Sequence, residues 1–483
     1  MDSVVKDLEP KLVWQHFHAI SQIPRCSGNE RAVGEYIIQL ADRRGLLYQR
    51  DSVGNIVVTC PGTHGMEARP TVILQGHTDM VCEKNNDTKH DFSRDPVVLL
   101  KDGEWITADG TTLGADNGIG FCFSLALMDD QTIPHPPMEL LFTVDEETAL
   151  TGVSGLSSGF LKGTRLINLD SEEEGVFYIG CAGGCDTILR KEFDSQPTPA
   201  GHKGFRIKLG GLRGGHSGVD IHQDLGNAIK LLSRLLYRLK DRTNFYLSTI
   251  NGGNKHNAIP REAQAVITLE EGDAPLLSLF ITEMEEVFRS EYQYTDKDIF
   301  LDLEESDDGE SVFDPSLQKA LIHFLYSVPH GVMAMSHAVP GVVETSTNMA
   351  AVKTADSSIE LITSQRSSVA SSCRDISDRI RALGELAGFE VEQHDSYPAW
   401  QPNPDSPLLG LAKTTYEEIT GRAAEIKVVH AGLECGVLSD KFSGLDMISF
   451  GPTIQGAHSP DEKVHIKSVK NTWHYLLELL KRV

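Results

Sequence analysis

Apolar and polar positions follow two different rhythms along the 483-residue chain. Over 31–44 the apolar positions recur at helical spacing, and the run stops at Gly45, a residue suited to the left-handed turn that closes a helix. Ser27-Gly-Asn-Glu30, just ahead of it, has the form of a capping box. Short β-branched runs predict strands over 55–59 and 71–74. A helix over 117–130 and strands over 138–144 and 165–169 follow. Such alternation predicts an α/β layer with a largely parallel sheet.

From about residue 205 the pattern changes. Strands are expected over 205–211, 245–250, 262–269, 298–303, 342–352 and 357–363, with helices over 223–239, 275–290, 315–326 and 369–386. This mixture predicts an inserted α+β domain, built of two similar halves. The proline-rich stretch 397–402 reads as a return linker. Beyond it a helix over 407–420, a strand over 446–450 and a final helix within 468–481 restore the α/β rhythm. The expected organisation is one domain from 1–186 and 398–483, interrupted by an inserted domain over 187–397.

Composition narrows the classes. A hydrophobic share of 40% with 23% charged residues fits a soluble globular protein, and the formal net charge of −25 argues against nucleic acid and anionic membranes as partners. No apolar run approaches the ~18 residues that suggest a membrane span. The opening MDSVVKDLEPKL lacks the basic and apolar regions of a signal peptide, so a cytoplasmic location with reduced thiols is expected for the eight scattered cysteines. Cys181 and Cys185 lie close together, but no second pair accompanies them, and a structural role is the plainer reading.

The strand ends of the α/β part carry the chemistry. After 71–74 come His77 and Asp79; after 138–144 come Asp145, Glu146 and Glu147; after 165–169 come Asp170 and Glu172 to Glu174; after 446–450 comes a loop with His458. Asp116 sits just before a helix. Ligands of open α/β sheets bind beyond the carboxyl ends of the strands. Singly, each segment has an ordinary explanation: a satisfied polar histidine, a helix N-cap at Asp116-Asn117, solvated acidic loops. Together they favour a metal site, because like charges do not gather without compensation. Asp116, Glu147 and Asp170 bring three negative charges and an attacking hydroxide a fourth, which two divalent cations balance. Histidine with carboxylate suits Zn²⁺, and Mn²⁺ or Co²⁺ fits as well.

The ordered motifs GHTDMV (76–81), GTTLGADNGIG (110–120), TVDEETALTG (143–152), INLDSEEEG (167–175), GGHSGVDIH (214–222), NAIPREA (257–263) and GAHSPDEKVHI (456–466) resemble the di-zinc exopeptidase family of aminoacylases and glutamate carboxypeptidases. Within it the bacterial cytosolic dipeptidases, which cut aminoacyl-histidine and other unblocked dipeptides, match through nearly the whole chain. The resemblance implies a zinc-exopeptidase catalytic domain with an inserted lid and dimerisation domain, two Zn²⁺ per subunit, and a homodimer formed through the lid. It implies that His77 and Asp170 bind one zinc, Glu147 and His458 the other, and Asp116 bridges them. Asp79 would orient His77, as outer-shell carboxylates do for metal-bound histidines. Glu146 would be the general base, His216 would stabilise the oxyanion in the partner subunit's site, Asn257 would contact substrate, and Arg366 would grip its carboxylate. Glu434, in HAGLECG (430–436), is a candidate anchor for the substrate amino group.

Four other readings compete, among them an inactive scaffold or binding protein, which would be expected to lack Glu146 or one of the ligands, whereas every such position is filled here. A related N-acyl amino acid or amide hydrolase would use the same metals without an acidic amino anchor. Gly155-Leu-Ser-Ser-Gly159 fits the serine-hydrolase pattern without its strand-to-helix context. The glycines of 114–120 lack the dinucleotide spacing.

Overall fold

The computed structural model describes residues 4–63 and 65–483. The chain divides into two units: Met1–Gly180 with Pro402–Val428 and Leu433–Val483, and Cys181–Gln401 with Val429–Gly432. The second unit thus starts six residues before the expected boundary and also takes in Val429–Gly432, which begins on the last residue of the strand Glu425–Val429.

The first unit is built on an eight-stranded sheet in the order Leu47–Arg50, Ile56–Cys60, Met138–Thr143, Val72–His77, Arg165–Asn168, Asp446–Ser449, Val176–Cys181, Glu425–Val429. Its four central strands, Met138–Thr143 to Asp446–Ser449, run parallel. Antiparallel pairs flank them, so the sheet is mixed where a largely parallel one was expected. Val72–His77 and Met138–Thr143 are buried along their whole length, as parallel strands covered on both faces must be. The helix Ala115–Asp129 packs on Val72–His77 and on the helix Lys11–Ser21 and is almost wholly buried. Gly120 permits its close approach: a Cβ there would lie 2.2 Å from the Leu169 carbonyl. That helix begins two residues earlier than expected, with non-helical backbone at Asp116 and Asn117.

Two expectations are corrected. Arg31–Arg44 is helical and ends at a left-handed Gly45, but no capping box precedes it. Ser27 Oγ donates to Asp79 Oδ2 instead, and Glu30 Oε1 accepts from the Gly28 and Asp145 amides. A long-range polar partner outcompetes the local one. Cys26 and Cys82 are joined in a disulfide with Cα atoms 5.7 Å apart, so these two are not the reduced thiols expected. Fifty-six residues separate them in sequence, and only the fold brings the chain after Pro24 beside the segment that follows Asp79. Cys181 and Cys185 are buried at strand positions.

The second unit carries a nine-stranded sheet. One half comprises Phe300–Glu305, His202–Gly210, Ala263–Glu270 and Phe245–Gly252; the other comprises Val343–Thr354, Ser358–Ser367, Gly183–Glu192 and Glu390–Tyr397. They meet at the pair Gly252–Val352, and Gly331–Met335 pairs with Val343–Thr354 off this path. Helices Ala228–Leu239, Ala274–Glu291 and Pro315–Ser327 pack on the first half and Ala370–Leu386 on the second, closing an apolar core that includes Leu232, Leu236, Ile267 and Phe288. The helix expected over 223–239 starts only at Ala228, capped by Asn227, whose side chain accepts from Ile229 and Lys230 amides.

Candidate active site

Four parallel strands deliver candidate ligands. Val72–His77 ends on His77; Met138–Thr143 runs through Asp145, in left-handed backbone, into a short helix that starts with Glu146 and Glu147. Arg165–Asn168 leads to Asp170, and Asp446–Ser449 leads to a hairpin, between Ile454–Gln455 and Lys463–His465, that carries His458. This small hairpin belongs to a four-stranded antiparallel sheet with Trp105–Ala108 and Leu99–Asp102.

Asp116 lies between two sets of groups. Its Oδ1 is 3.3 Å from His77 Nε2, which is also 3.3 Å from Asp170 Oδ1. Its Oδ2 is 3.3 Å from His458 Nε2, which is 3.0 Å from Glu147 Oε2. Each triad, His77-Asp116-Asp170 and Asp116-Glu147-His458, has its ligand atoms close enough to hold one cation. Apart from the 3.3 Å approach of His77 Nε2 to Asp170 Oδ1, the buried Asp170 Oδ1 and Glu147 Oε1 have no hydrogen-bond partner among the described residues. Such orphaned acceptors beside imidazoles fit divalent cations: the donor set is nitrogen and oxygen at both positions.

Electrostatics point the same way. Asp116 and Glu147 hydrogen-bond His458 and lift it to about 11. Burial pushes His77 down, but Asp170, Asp116 and Asp79 outweigh it and hold the imidazole well above its ordinary value. Burial drives Asp170 well up, with Asp116 and Glu146 adding to it. Burial also raises Glu146, and Glu434, Glu147 and Asp116 add to that against the pull of His77, leaving it at about 8. Glu172, which the strand-end pattern included without a role, rises to about 7 through burial and the nearby Asp116.

Asp79 is fully buried and holds the first layer in place. Its Oδ1 lies 3.3 Å from His77 Nδ1 and accepts from the Glu146 amide; its Oδ2 accepts from the Glu147 amide and Ser27. Burial raises this carboxyl, but His77, Ser27 and the Glu146 amide hold it well below the ordinary range. It therefore faces His77 as a carboxylate.

Beneath the ligands a buried polar row crosses the central strands. Thr143 and Gln75 donate to Glu434 Oε2, Asn168 donates to Gln75 Oε1 at 2.6 Å, Ser449 donates to Asn168 Oδ1 at 2.5 Å, and Ser171 lies 2.6 Å from Ser449. Glu434 itself opens the helix Glu434–Lys441, is 1% exposed, and is raised by burial to about 8. Its Oε1 has no partner among the described residues.

His216, Asn257 and Arg366 belong to the second unit. Gly215–His216 pairs with Ala258–Ile259, which sets His216 opposite Ala258 and next to Asn257. His216 Nδ1 accepts from the amides of Gly218 and Val219, both at 3.1 Å. The ring proton is thereby placed on Nε2, which makes this atom a donor. Burial and then Arg366 push the His216 pKa down, so the ring is neutral. Arg366, 6% exposed, donates to the Tyr397 hydroxyl, and its Nε has no partner among the described residues. His430 hydrogen-bonds Ser346 at 2.7 Å and is pushed down to about 3 by burial, then by Arg366 and His216. Asn257 is exposed.

Sequence reasoning missed Arg25, Ser27, Glu462, Tyr397 and His430 as neighbours of these groups. Glu462 and His430 stand inside quoted motifs, four residues from His458 and from Glu434 respectively, and that adjacency was the available signal.

A sequence model of peptidase family M20/M25/M40 matches residues 73–482. The cytosol non-specific dipeptidase of Escherichia coli (strain K12) is 42% identical over 481 residues, covering 100% of this chain and 99% of that protein. The crystal structure of aminoacylhistidine dipeptidase from Vibrio alginolyticus superposes with a TM-score of 0.94 at 41% identity, covering 100% of this chain and 98% of that one. Aminopeptidase PepT from Bacillus cereus ATCC 10987 shares the fold, with a TM-score of 0.57 at 14% identity over 98% of each chain.

Proposed function

The chain belongs to peptidase family M20/M25/M40, and from that premise we propose that it is a metal-dependent cytoplasmic dipeptidase that hydrolyses unblocked dipeptides, aminoacyl-histidines among them. The observation that carries the metal part of this reading is Asp116, whose two oxygens each face one histidine-carboxylate set. In the proposed assignment His77 and Asp170 would hold one ion and Glu147 and His458 the other, with Asp116 shared between them. Two bound cations, zinc or else manganese or cobalt, would polarise the scissile carbonyl and acidify an attacking water.

The chain's own groups do the rest. Glu146 takes the proton of the attacking water and returns it to the departing nitrogen. Asp79 keeps the His77 proton on Nδ1 and leaves Nε2 free to act as a ligand. The neutral His216 donates from Nε2 to the carbonyl oxygen as it gains charge. The Arg366 guanidinium pairs with the substrate carboxylate, and Asn257 adds a contact. Glu434 Oε1 accepts from the substrate ammonium.

Amino-group recognition separates a dipeptidase from an N-acyl amino acid hydrolase. Ala-His should be cleaved with a kcat/KM about 10²-fold or more above that of N-acetyl-Ala-His, and Glu434→Gln should narrow the gap. Equal cleavage of the two compounds would remove the amino anchor and favour the deacylase reading.

The reading includes a homodimer joined through the second unit, with His216 serving the metal site of a partner subunit. Mixing inactive His216→Ala with inactive Glu146→Ala subunits should then restore part of the activity. No recovery, with subunit exchange demonstrated by differently tagged chains, would count against sharing.

A further inference from the structure

Asp116 has to present one oxygen to each side, and it sits in the first turn of the helix Ala115–Asp129 where the backbone departs from helical geometry. The backbone at Asp116 and Asn117 is non-helical, and Gly114 before them is left-handed. What fixes this corner is a carboxylate from the far end of the chain. Glu462, 2% exposed, spreads its two oxygens over four consecutive amides. Oε2 accepts from Leu113 at 2.7 Å and Gly114 at 2.9 Å; Oε1 accepts from Ala115 at 2.7 Å and Asp116 at 3.2 Å. From the other side the buried Arg25 donates to the Gly114 carbonyl, and also to the Thr78 and Asp79 carbonyls at 3.0 and 2.8 Å. The peptide groups at Gly114 are thus gripped through N–H by Glu462 and through C=O by Arg25.

A carboxylate buried among other carboxylates is costly. Asp116 lies close by, its own amide donating to Glu462 Oε1. Four charge-assisted hydrogen bonds offset that cost only if the ionised form is held where it is. Helix stability alone does not explain the arrangement, since neutral Ser, Thr or Asn side chains cap helix starts without burying a charge. Glu462 also shares a hairpin with His458, at either end of a five-residue span between Ile454–Gln455 and Lys463–His465. One hairpin therefore sets both Asp116 and the histidine facing its Oδ2.

We propose that Glu462, with Arg25 as its opposing grip, is the positioning residue for the Asp116 bridge and so sets whether the two cation positions fill together. This rests on the proposed ligand assignment. Glu462→Gln keeps the volume but turns an amide toward N–H donors, leaving one acceptor oxygen where there were two. The test is zinc titration of metal-free protein against a chromophoric chelator, with thermal melting in parallel. The expected result is a weakening of the second zinc by about 10–100-fold, with the first changed less. Glu139→Gln is the control: Glu139 is another buried carboxylate that accepts from two amides, Lys162 and Gly163, outside the ligand set. It should lower the melting temperature and leave both zinc affinities at the wild-type level.

Zinc affinities in Glu462→Gln within about twofold of wild type would overturn the proposal, and so would equal weakening by both variants. If Glu462→Gln does not fold, Glu462→Asp, which withdraws the carboxylate by one methylene, is read by the same criteria. Asp116→Asn separates the two layers of the argument. If it binds two zincs normally, the ligand assignment fails. If it loses zinc while Glu462→Gln keeps both, only the positioning role fails.

Discussion

Glu146→Ala should lower kcat by about 10³-fold while both cations stay bound and KM changes little. The expectation comes from how the adjacent Glu146 and Glu147 are held. Both start the same short helix, and both amides are tied to Asp79. Glu147 pairs with His458, whereas Glu146 stands in a group with His77 and Glu147 but makes no hydrogen bond or ion pair to an imidazole among the described residues. In the cation-free site its carboxyl is lifted to about 8 by burial and neighbouring carboxylates, and bound cations would lower it toward the range of a base. Because the geometry also lets Glu146 approach a cation beside His77, metal content has to be measured with the rate. Loss of an ion in Glu146→Ala would make it a ligand and leave the base role to another group.

Stripping the metal should have a larger effect still, lowering activity by at least about 10⁴-fold, with recovery on adding Zn²⁺, Mn²⁺ or Co²⁺. Without cations the imidazoles neutralise the site: His458 is lifted to about 11 by Asp116 and Glu147, and His77 is held well above its ordinary value. At neutral pH both rings therefore carry protons that a cation must displace. Proton release on binding means that apparent affinity rises with pH, by up to about tenfold per pH unit for each proton displaced. Zinc competition titrations at pH 6, 7 and 8 would show this. An affinity independent of pH would remove the imidazoles from the ligand set, and chelator-insensitive cleavage would remove the metal from the reaction.

The elements that deliver the site were legible because each is a short apolar run ending in a titratable residue, and in the fold these runs place His77, Glu147, Asp170 and His458 around Asp116. Strands such as Leu99–Asp102 and Trp105–Ala108 were not legible, since each is only four residues long, too short to establish a period, and the first buries only Leu99. Gly183–Glu192 escaped because it opens on two glycines and mixes charged with apolar residues, and Glu390–Tyr397 because its sequence, EVEQHDSY, is mostly polar. The supports of the site were hidden by sequence distance. Arg25 reaches a carbonyl 89 residues away, and Glu462 reaches amides up to 349 residues away. Ser27 was assigned to a local cap because its true partner, Asp79, is 52 residues on. Local pattern reports what a segment buries; it is silent on which distant backbone a buried charge will hold.

The polar row under the ligands bears on how the chain finds its fold. Parallel strands that are apolar along both faces have little to tell one alignment from the next, and a slip costs few specific contacts. Gln75, Asn168 and Ser449 are Cα partners in neighbouring strands. A slip of any one strand would strand buried amides and hydroxyls away from their partners, at about 1–3 kcal/mol for each group left unsatisfied. The row therefore acts as an alignment key for strands that enter the sheet from positions nearly 400 residues apart, Val72 to Ser449. The ends of those strands can come level, and the ligands with them, only when every tooth of the key has engaged.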